Sequence, residues 1–246
     1  MTFKHQLTQD TELLNLKYHE GDLYTGQLSF SAGAVLSQLR AKPSVINIVP
    51  ATAADRQAVE QFIIDIYAKA YGAKIGVHYP TLMSVRDEAG SILAAVGFRS
   101  AAESPLFLEQ YLDRPVQDVL RTPRRQIAEI GSLASNGGGA SLFLFVALSA
   151  YLCSRGFTKA AITGTSQLQQ RFRSLGLQPV RHAQADANLL LSHDEDWGNY
   201  YETQPYVISG SLDKSYRQLK KRLGADYQDH RPRLLPRLHY SYKDAV

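Results

Sequence analysis

The spacing of apolar residues in the first half of the chain predicts strands, one helix and a hairpin. Apolar runs indicate strands at 45–49, 82–86 and 92–98, and the last two flank the turn signal DEAG at 87–90. From Val59 to Ala70 the apolar residues recur at helical spacing, which is typical of an amphipathic helix. The predicted order is therefore strand, helix, strand, strand.

The second half of the chain predicts a strand–helix–strand–helix unit followed by shorter elements. We expect a strand over 126–134, a helix over 141–155, a strand over 157–163 and a helix over 166–176. Further strands fit 178–182, 187–191 and 206–212, and a basic helix fits 213–223. Because helices that connect parallel strands pack onto the sheet, this order predicts an α/β protein with helices on both faces of a mixed sheet.

The chain of 246 residues is long enough for one large domain with extensions. Residues 1–44 are weakly patterned, and we interpret them as an N-terminal extension. Residues 45–212 carry the predicted α/β domain, and residues 213–246 form a basic C-terminal helix and tail. The longest apolar stretch, 140–153, is shorter than the roughly 20 residues that a membrane span needs.

Positive charge is concentrated in the tail. Residues 211–246 hold nine basic and four acidic residues, whereas the rest of the chain holds 18 basic and 19 acidic residues. A solvated tail is the favoured interpretation, and weak contact with an anionic membrane surface is the alternative. With no secretory signal and a single cysteine, Cys153, the protein is expected to be cytoplasmic.

A glycine turn, Gly137 to Gly139, stands where the apolar helix begins. The backbone N–H groups at a helix N-terminus are unpaired and lie at the positive end of the helix dipole, so such a turn can bind phosphate. A plain flexible loop is the alternative.

The dinucleotide fingerprint and the P-loop motif are both missing, and the run from His193 to Asp196 lacks metal-ligand spacing. We therefore expect no metal site and no nucleic-acid partner.

Glu129 interrupts an otherwise apolar strand. A buried carboxylate is costly unless it is paired or functional. A raised pKa would suit a general base, while an ion-paired structural glutamate is the alternative.

Several sequence blocks, in order, resemble the GNAT-type acyltransferases and, within them, the thermostable hemolysin family. They are FLEQYLD (107–113), AEIGSLA (128–134), TGT (163–165), FRSLGL (172–177), AD (185–186) and WGNYYETQPYVISGSL (197–212). The resemblance implies a GNAT-like fold with a central mixed, mostly antiparallel sheet. It also implies an N-acyltransferase that moves an acyl group from acyl-CoA or acyl-carrier protein to a small amine, without a permanently bound cofactor.

The resemblance also implies site residues. Glu129 would be the catalytic base. The backbone of Ile130, Gly131, Ser132 and Leu133 would hold the donor's thioester arm. The donor's phosphates would lie on Ser135, Asn136, Gly137, Gly138, Gly139, Ala140 and Ser141. Apart from the resemblance, Trp197, Tyr200 and Tyr201 cluster in one stretch and could form an apolar wall of the substrate site, and an aromatic plug of the core is the alternative.

Two residues depart from the superfamily's pattern. Ser135 stands where the phosphate turn begins with Gln or Arg, and Phe172 stands where a Tyr protonates the departing thiolate. Two alternatives therefore stay open: a non-catalytic acyl-CoA-binding protein, and the membrane-active toxin that the family's name suggests. The fold also resembles that of acyl-homoserine-lactone and N-acyl amino acid synthases, so a longer acyl chain and an amphiphilic product are plausible.

Overall fold

Ten strands form one sheet in the computed structural model, which describes residues 14–31, 41–192 and 194–231. The strands are β1 (Leu14–Glu20), β2 (Leu23–Phe30), β3 (Pro43–Pro50), β4 (Thr81–Asp87), β5 (Ile92–Ser100), β6 (Ile127–Ser135), β7 (Lys159–Gly164), β8 (Val180–Gln184), β9 (Tyr206–Ser211) and β10 (Ala225–Asp229). Their order across the sheet is β10-β2-β1-β3-β4-β5-β6-β7-β9-β8. Only β1 with β3 and β6 with β7 pair in parallel, so the predicted mixed, mostly antiparallel sheet is confirmed.

Helices cover both faces of this sheet, as predicted. The helices are α1 (Arg56–Tyr71), α2 (Val116–Leu120), α3 (Ala140–Ser154), α4 (Ser166–Ser174) and α5 (Leu212–Leu223). Side chains alternate along a strand, so that Leu82 of β4 packs with α1 on one face and its neighbour Met83 packs with α3 on the other. Short 3-10 turns lie at Phe107–Tyr111, Arg124–Gln126, Ala187–Leu189 and Tyr200–Thr203.

The sheet extends beyond the predicted central domain at both ends of the chain. Part of the predicted N-terminal extension forms β1 and β2, and part of the predicted basic tail forms β10, which pairs with β2. In β1 the apolar residues Leu14, Leu16 and Tyr18 are buried, and the Tyr18 hydroxyl donates to the carbonyl oxygen of Ala147 in α3. The predicted boundaries at 45 and 212 therefore do not coincide with the ends of the sheet.

The prediction of a strand over 187–191 was wrong. This segment begins with the 3-10 turn Ala187–Leu189, and the Asp186 side chain accepts a hydrogen bond from the backbone of Asn188. Leu189 and Leu191 are 49% and 90% exposed, and of the three leucines only Leu190 packs against the core, so the segment lacks the buried face of a strand.

The apolar helix α3 is buried on nearly all sides, with 12 of its 15 residues inside the core. It packs on the sheet with one side and on α5 with the other. The stripe of α5 formed by Tyr216, Leu219 and Leu223, the only apolar surface that this basic helix could offer a membrane, packs into that core. Across the described segments, we find no helix with both the length and the apolar character of a membrane span.

Phe143 of α3 tests this account of the core. It is fully buried and its ring meets Phe30 of β2 edge to face at 4.9 Å between centroids. We expect Phe143→Ala to lower the free energy of unfolding by roughly 3–5 kcal/mol in urea melts, because a large cavity would remain. Leu23→Ala is the control, since Leu23 is 55% exposed. Equal effects of the two substitutions would contradict the assignment of α3 to the core.

Candidate active site

Strand β6 contains a bulge between Gly131 and Ala134. Opposite β5, Ala134 pairs with Ala95 and Gly131 pairs with Gly97, so β6 carries one extra residue between these pairs. Ser132, inside the bulge, has a φ of 49°, which is uncommon for a residue with a side chain. The bulge therefore forces the backbone of β6 out of its regular course.

The two parallel strands separate at this bulge. Strand β6 pairs with β7 from Ile127 to Ile130, whose partner is Ile162, and no pair between the two strands follows although β6 continues to Ser135. Since a strand without its neighbour leaves N–H and C=O groups unpaired, the gap offers backbone hydrogen bonds to a ligand.

A cavity of about 340 Å³ lies at this gap and continues between α3, α4 and α5. The four residues predicted to hold a thioester arm, Ile130, Gly131, Ser132 and Leu133, all line it. Apolar side chains form most of its remaining wall, among them Leu144, Phe145, Leu148, Ile162, Leu168, Phe172, Ile208 and Leu219. The size and the apolar lining are typical of a small-molecule site.

The predicted phosphate turn connects β6 to α3. Gly137, Gly138 and Gly139 all have φ between 62° and 89°, a conformation that residues with side chains rarely adopt. Ser135 Oγ accepts a hydrogen bond from the backbone of Gly137, and Asn136 ties the turn to β5 through the carbonyl oxygen of Ile92. Ala140 and Ser141 begin α3, whose N-terminus has no side-chain cap. The turn stands beside the cavity rather than in its wall.

Glu129 lies on the face of the sheet that α1 covers and is 1% exposed. The backbone N–H groups of Leu108 and Phe107 donate to its two oxygens at 2.8 and 3.2 Å, and Arg99 Nε lies 2.9 Å from Oε2. Burial raises the pKa of Glu129, and Arg99 and the two N–H groups oppose that shift. Glu129 therefore anchors the turn Phe107–Tyr111, and it is not among the residues that line the cavity.

Sequence reasoning missed Tyr79 and Arg99, which complete the surroundings of Glu129. The Tyr79 ring lies across the paired glycines Gly97 and Gly131, where a Cβ on either glycine would overlap it. The Arg99 guanidinium stacks over the same ring, 4.6 Å from its centroid. Two glycines at the same register position of neighbouring strands are the signal that could have indicated such a close approach.

Only one of the three predicted aromatic residues lines the cavity. Tyr200 does so, and its ring stacks on Tyr67 of α1. Trp197 packs behind it, against Tyr67 and Phe107, and the Tyr201 hydroxyl lies 2.6 Å from the hydroxyl of Tyr111. Trp197 and Tyr201 thus support the wall from outside.

Phe172 lies in the cavity wall and packs edge to face against Phe145. The polar groups at the gap come from other residues. The backbone N–H of Leu133 faces the Tyr67 hydroxyl, and the Tyr200 hydroxyl donates to the carbonyl oxygen of Thr163 at 3.3 Å.

Within the described part of the chain, no group of three or more His, Cys, Asp or Glu residues could hold a metal ion.

The fold is that of the GNAT-like acyltransferases, as solved structures indicate. The acyl-homoserine lactone synthase LasI matches with a TM-score of 0.50 and 13% identity over 72% of this chain and 94% of that chain. The CoA-dependent acyl-homoserine lactone synthase BjaI, with SAM and isopentyl-CoA, matches with a TM-score of 0.52 and 12% identity over 73% of this chain and 89% of that chain. FeeM, an N-acyl amino acid synthase from uncultured soil microbes, matches with a TM-score of 0.51 and 13% identity over 73% of this chain and 97% of that chain.

At these identities the likeness to solved structures shows a shared fold. None of the curated protein sequences is detectably similar to the chain. The sequence pattern of the family described as thermostable hemolysin, however, matches residues 49–216, which is more than half of the chain and includes the bulge, the glycine turn and most of the cavity wall. The chain therefore belongs to the thermostable hemolysin family.

Proposed function

We propose that this protein is an N-acyltransferase that moves an acyl group from an acyl thioester, acyl-CoA or acyl-carrier protein, to an amine. The observation that carries the proposal is the gap between β6 and β7, which opens at the bulge and leads into an apolar cavity. An extended thioester arm would hydrogen-bond the free edge of β6 at Ile130 to Leu133. Its acyl chain would then enter the apolar part of the cavity.

The glycine turn supports the donor half of this proposal. Its position at the uncapped N-terminus of α3 gives backbone N–H groups and a helix dipole to the phosphates of a pantetheine-bearing donor. Structures with this fold include an N-acyl amino acid synthase and a CoA-dependent acyl-homoserine lactone synthase with isopentyl-CoA, which favours the same class of donor here.

The cavity favours an acyl chain longer than acetyl. Burial of each CH₂ group contributes about 0.8 kcal/mol, so each added carbon that fits would improve binding roughly fourfold. An amine acylated with such a chain is amphiphilic. A membrane-damaging product, rather than a pore formed by the protein, would reconcile the family's name with this fold.

Glu129 is our proposed base for the acceptor amine. Glu129 is not among the residues that line the cavity, so it would take the proton through a water molecule rather than by direct contact. Its position one residue before the strands separate places it next to the proposed thioester site, on the face that α1 covers.

The proposal predicts turnover by the purified protein. We would incubate it with acetyl-, hexanoyl- or decanoyl-CoA and, in turn, each common amino acid and simple amines such as ethanolamine, and detect N-acyl products by mass spectrometry. We expect a product whose yield is greater with hexanoyl- or decanoyl-CoA than with acetyl-CoA. Binding of acyl-CoA without any product would favour the non-catalytic binding protein, and neither binding nor product would contradict the proposal.

Gly138→Val tests the donor's phosphate site. A branched side chain is strained at its φ of 62° and would also block the approach of a phosphate to the backbone. We expect the affinity for CoA to fall at least tenfold in calorimetry, which corresponds to about 1.4 kcal/mol. Gly90→Val is the matched control, because Gly90 also has a positive φ, of 83°, but lies in the β4–β5 hairpin with open space around it. Equal affinities of the two variants would place the phosphates elsewhere.

Glu129→Gln tests the base. Because burial raises the pKa of Glu129 above the ordinary value of a glutamate, wild-type kcat/KM should fall as the pH drops through that raised pKa. The variant should lose most activity and lack this acidic limb, while protonation of the amine affects both proteins alike. It also removes the charged partner of Arg99, so the free energy of unfolding should fall by roughly 3 kcal/mol, the low end for a broken buried ion pair, because Arg99 is partly exposed and glutamine still accepts hydrogen bonds. An acidic limb retained in the variant would remove Glu129 from the mechanism.

A further inference from the structure

Two buried tyrosines bridge the gap between the separated strands. Tyr67 comes from α1 and Tyr200 from the turn Tyr200–Thr203, and their rings stack with centroids 6.3 Å apart at an angle of 27°. Tyr67 faces the backbone N–H of Leu133 in β6, and Tyr200 donates to the carbonyl oxygen of Thr163 in β7. Each hydroxyl therefore contacts one edge of the gap.

Both hydroxyls can turn toward a ligand in the gap. The Tyr67 hydroxyl faces the backbone N–H of Leu133, a group that can interact only with the hydroxyl oxygen, so the hydroxyl proton stays available to donate. The bond from Tyr200 to the Thr163 carbonyl is long, at 3.3 Å, and a stronger acceptor could replace it. Both residues line the cavity.

The hydroxyl of Thr163 shows that this gap is built for a polar group. Thr163 lines the cavity, and its Oγ1 is buried with no hydrogen-bond partner among the residues that the structure describes. A buried hydroxyl without a partner is costly, so a ligand that supplies one would be favoured at this point.

The part of the wall formed by Phe172 provides no proton donor. There Phe172 packs against Phe145, and both side chains are apolar. A thiolate that left the acyl group in this cavity would be a charge in apolar surroundings, which is unfavourable unless a donor hydrogen-bonds to it.

We propose that the Tyr67 and Tyr200 hydroxyls donate hydrogen bonds to the thioester sulfur as it leaves. They would take the role of a proton donor at position 172, where Phe172 has no proton to give. This inference rests on the proposed acyltransferase function. The amine nitrogen forms a bond to the carbonyl carbon, the carbon–sulfur bond breaks, and its electron pair stays on sulfur. The nitrogen loses one proton and the sulfur finally gains one, so the step balances and neither tyrosine is consumed.

The electrostatics of the two phenols agree with this role. Burial raises the pKa of Tyr67 and of Tyr200, so both hydroxyls are protonated at neutral pH. They act as fixed hydrogen-bond donors where negative charge develops, rather than as acids that ionise.

The test compares two donors that differ in their leaving group. With the best amine from the acceptor panel, we would measure kcat for hexanoyl-N-acetylcysteamine, which releases a basic alkyl thiolate, and for S-phenyl thiohexanoate, which releases a stable aryl thiolate. We expect Tyr67→Phe combined with Tyr200→Phe to reduce kcat about a hundredfold with the alkyl donor and less than about tenfold with the aryl donor. KM for the alkyl donor should change little.

Tyr151→Phe is the matched control. Tyr151 is a buried tyrosine outside the cavity, with its hydroxyl bonded to Arg155, and its substitution should leave kcat unchanged for both donors. If the double variant unfolds, Tyr67→Phe alone should show the same difference between donors at smaller size. Equal losses with both donors, or no loss, would overturn the inference. Wild-type protein that is inactive with every amine would instead overturn the proposed function, and this inference with it.

Discussion

The loss of pairing between β6 and β7 after Ile130 is the constraint on which the rest of the site depends. One extra residue in β6 turns its backbone away from β7, and the parallel ladder cannot continue. The gap exposes one strand edge at Leu133 and another at Thr163, which α1 and the turn Tyr200–Thr203 cover with tyrosines. Strand β6 ends at Ser135, and the glycine turn that follows it leads into α3.

Glu129 and its neighbours hold this bulge in place from the α1 side. The Tyr79 ring lies directly on Gly131, Arg99 stacks on that ring, and Glu129 joins Arg99 to the turn Phe107–Tyr111. A catalytic role for Glu129 would therefore be added to a structural one. The two sequence interpretations of this residue, base and ion-paired glutamate, are compatible rather than exclusive.

The sequence alone predicted much of the fold, because its signals are local. Periodicity placed α1 and the unit from β6 to α4, and the glycine turn marked the start of α3. The missed parts depend on contacts between distant segments. Strand β10 pairs with β2 nearly 200 residues earlier, and Tyr67, which looked like an ordinary core residue of α1, meets Leu133 and Tyr200 only in the folded chain.

The central claim, that the protein makes an N-acyl product, is tested most directly in cells. Lipid extracts of cells that express the wild-type protein would be compared by mass spectrometry with extracts of cells that express Gly138→Val at the same level. The account predicts an N-acyl amine that is abundant with the wild type and strongly reduced with the variant. Identical extracts, together with dye release from lipid vesicles by the purified protein without substrates, would contradict it and favour a toxin that acts directly on membranes.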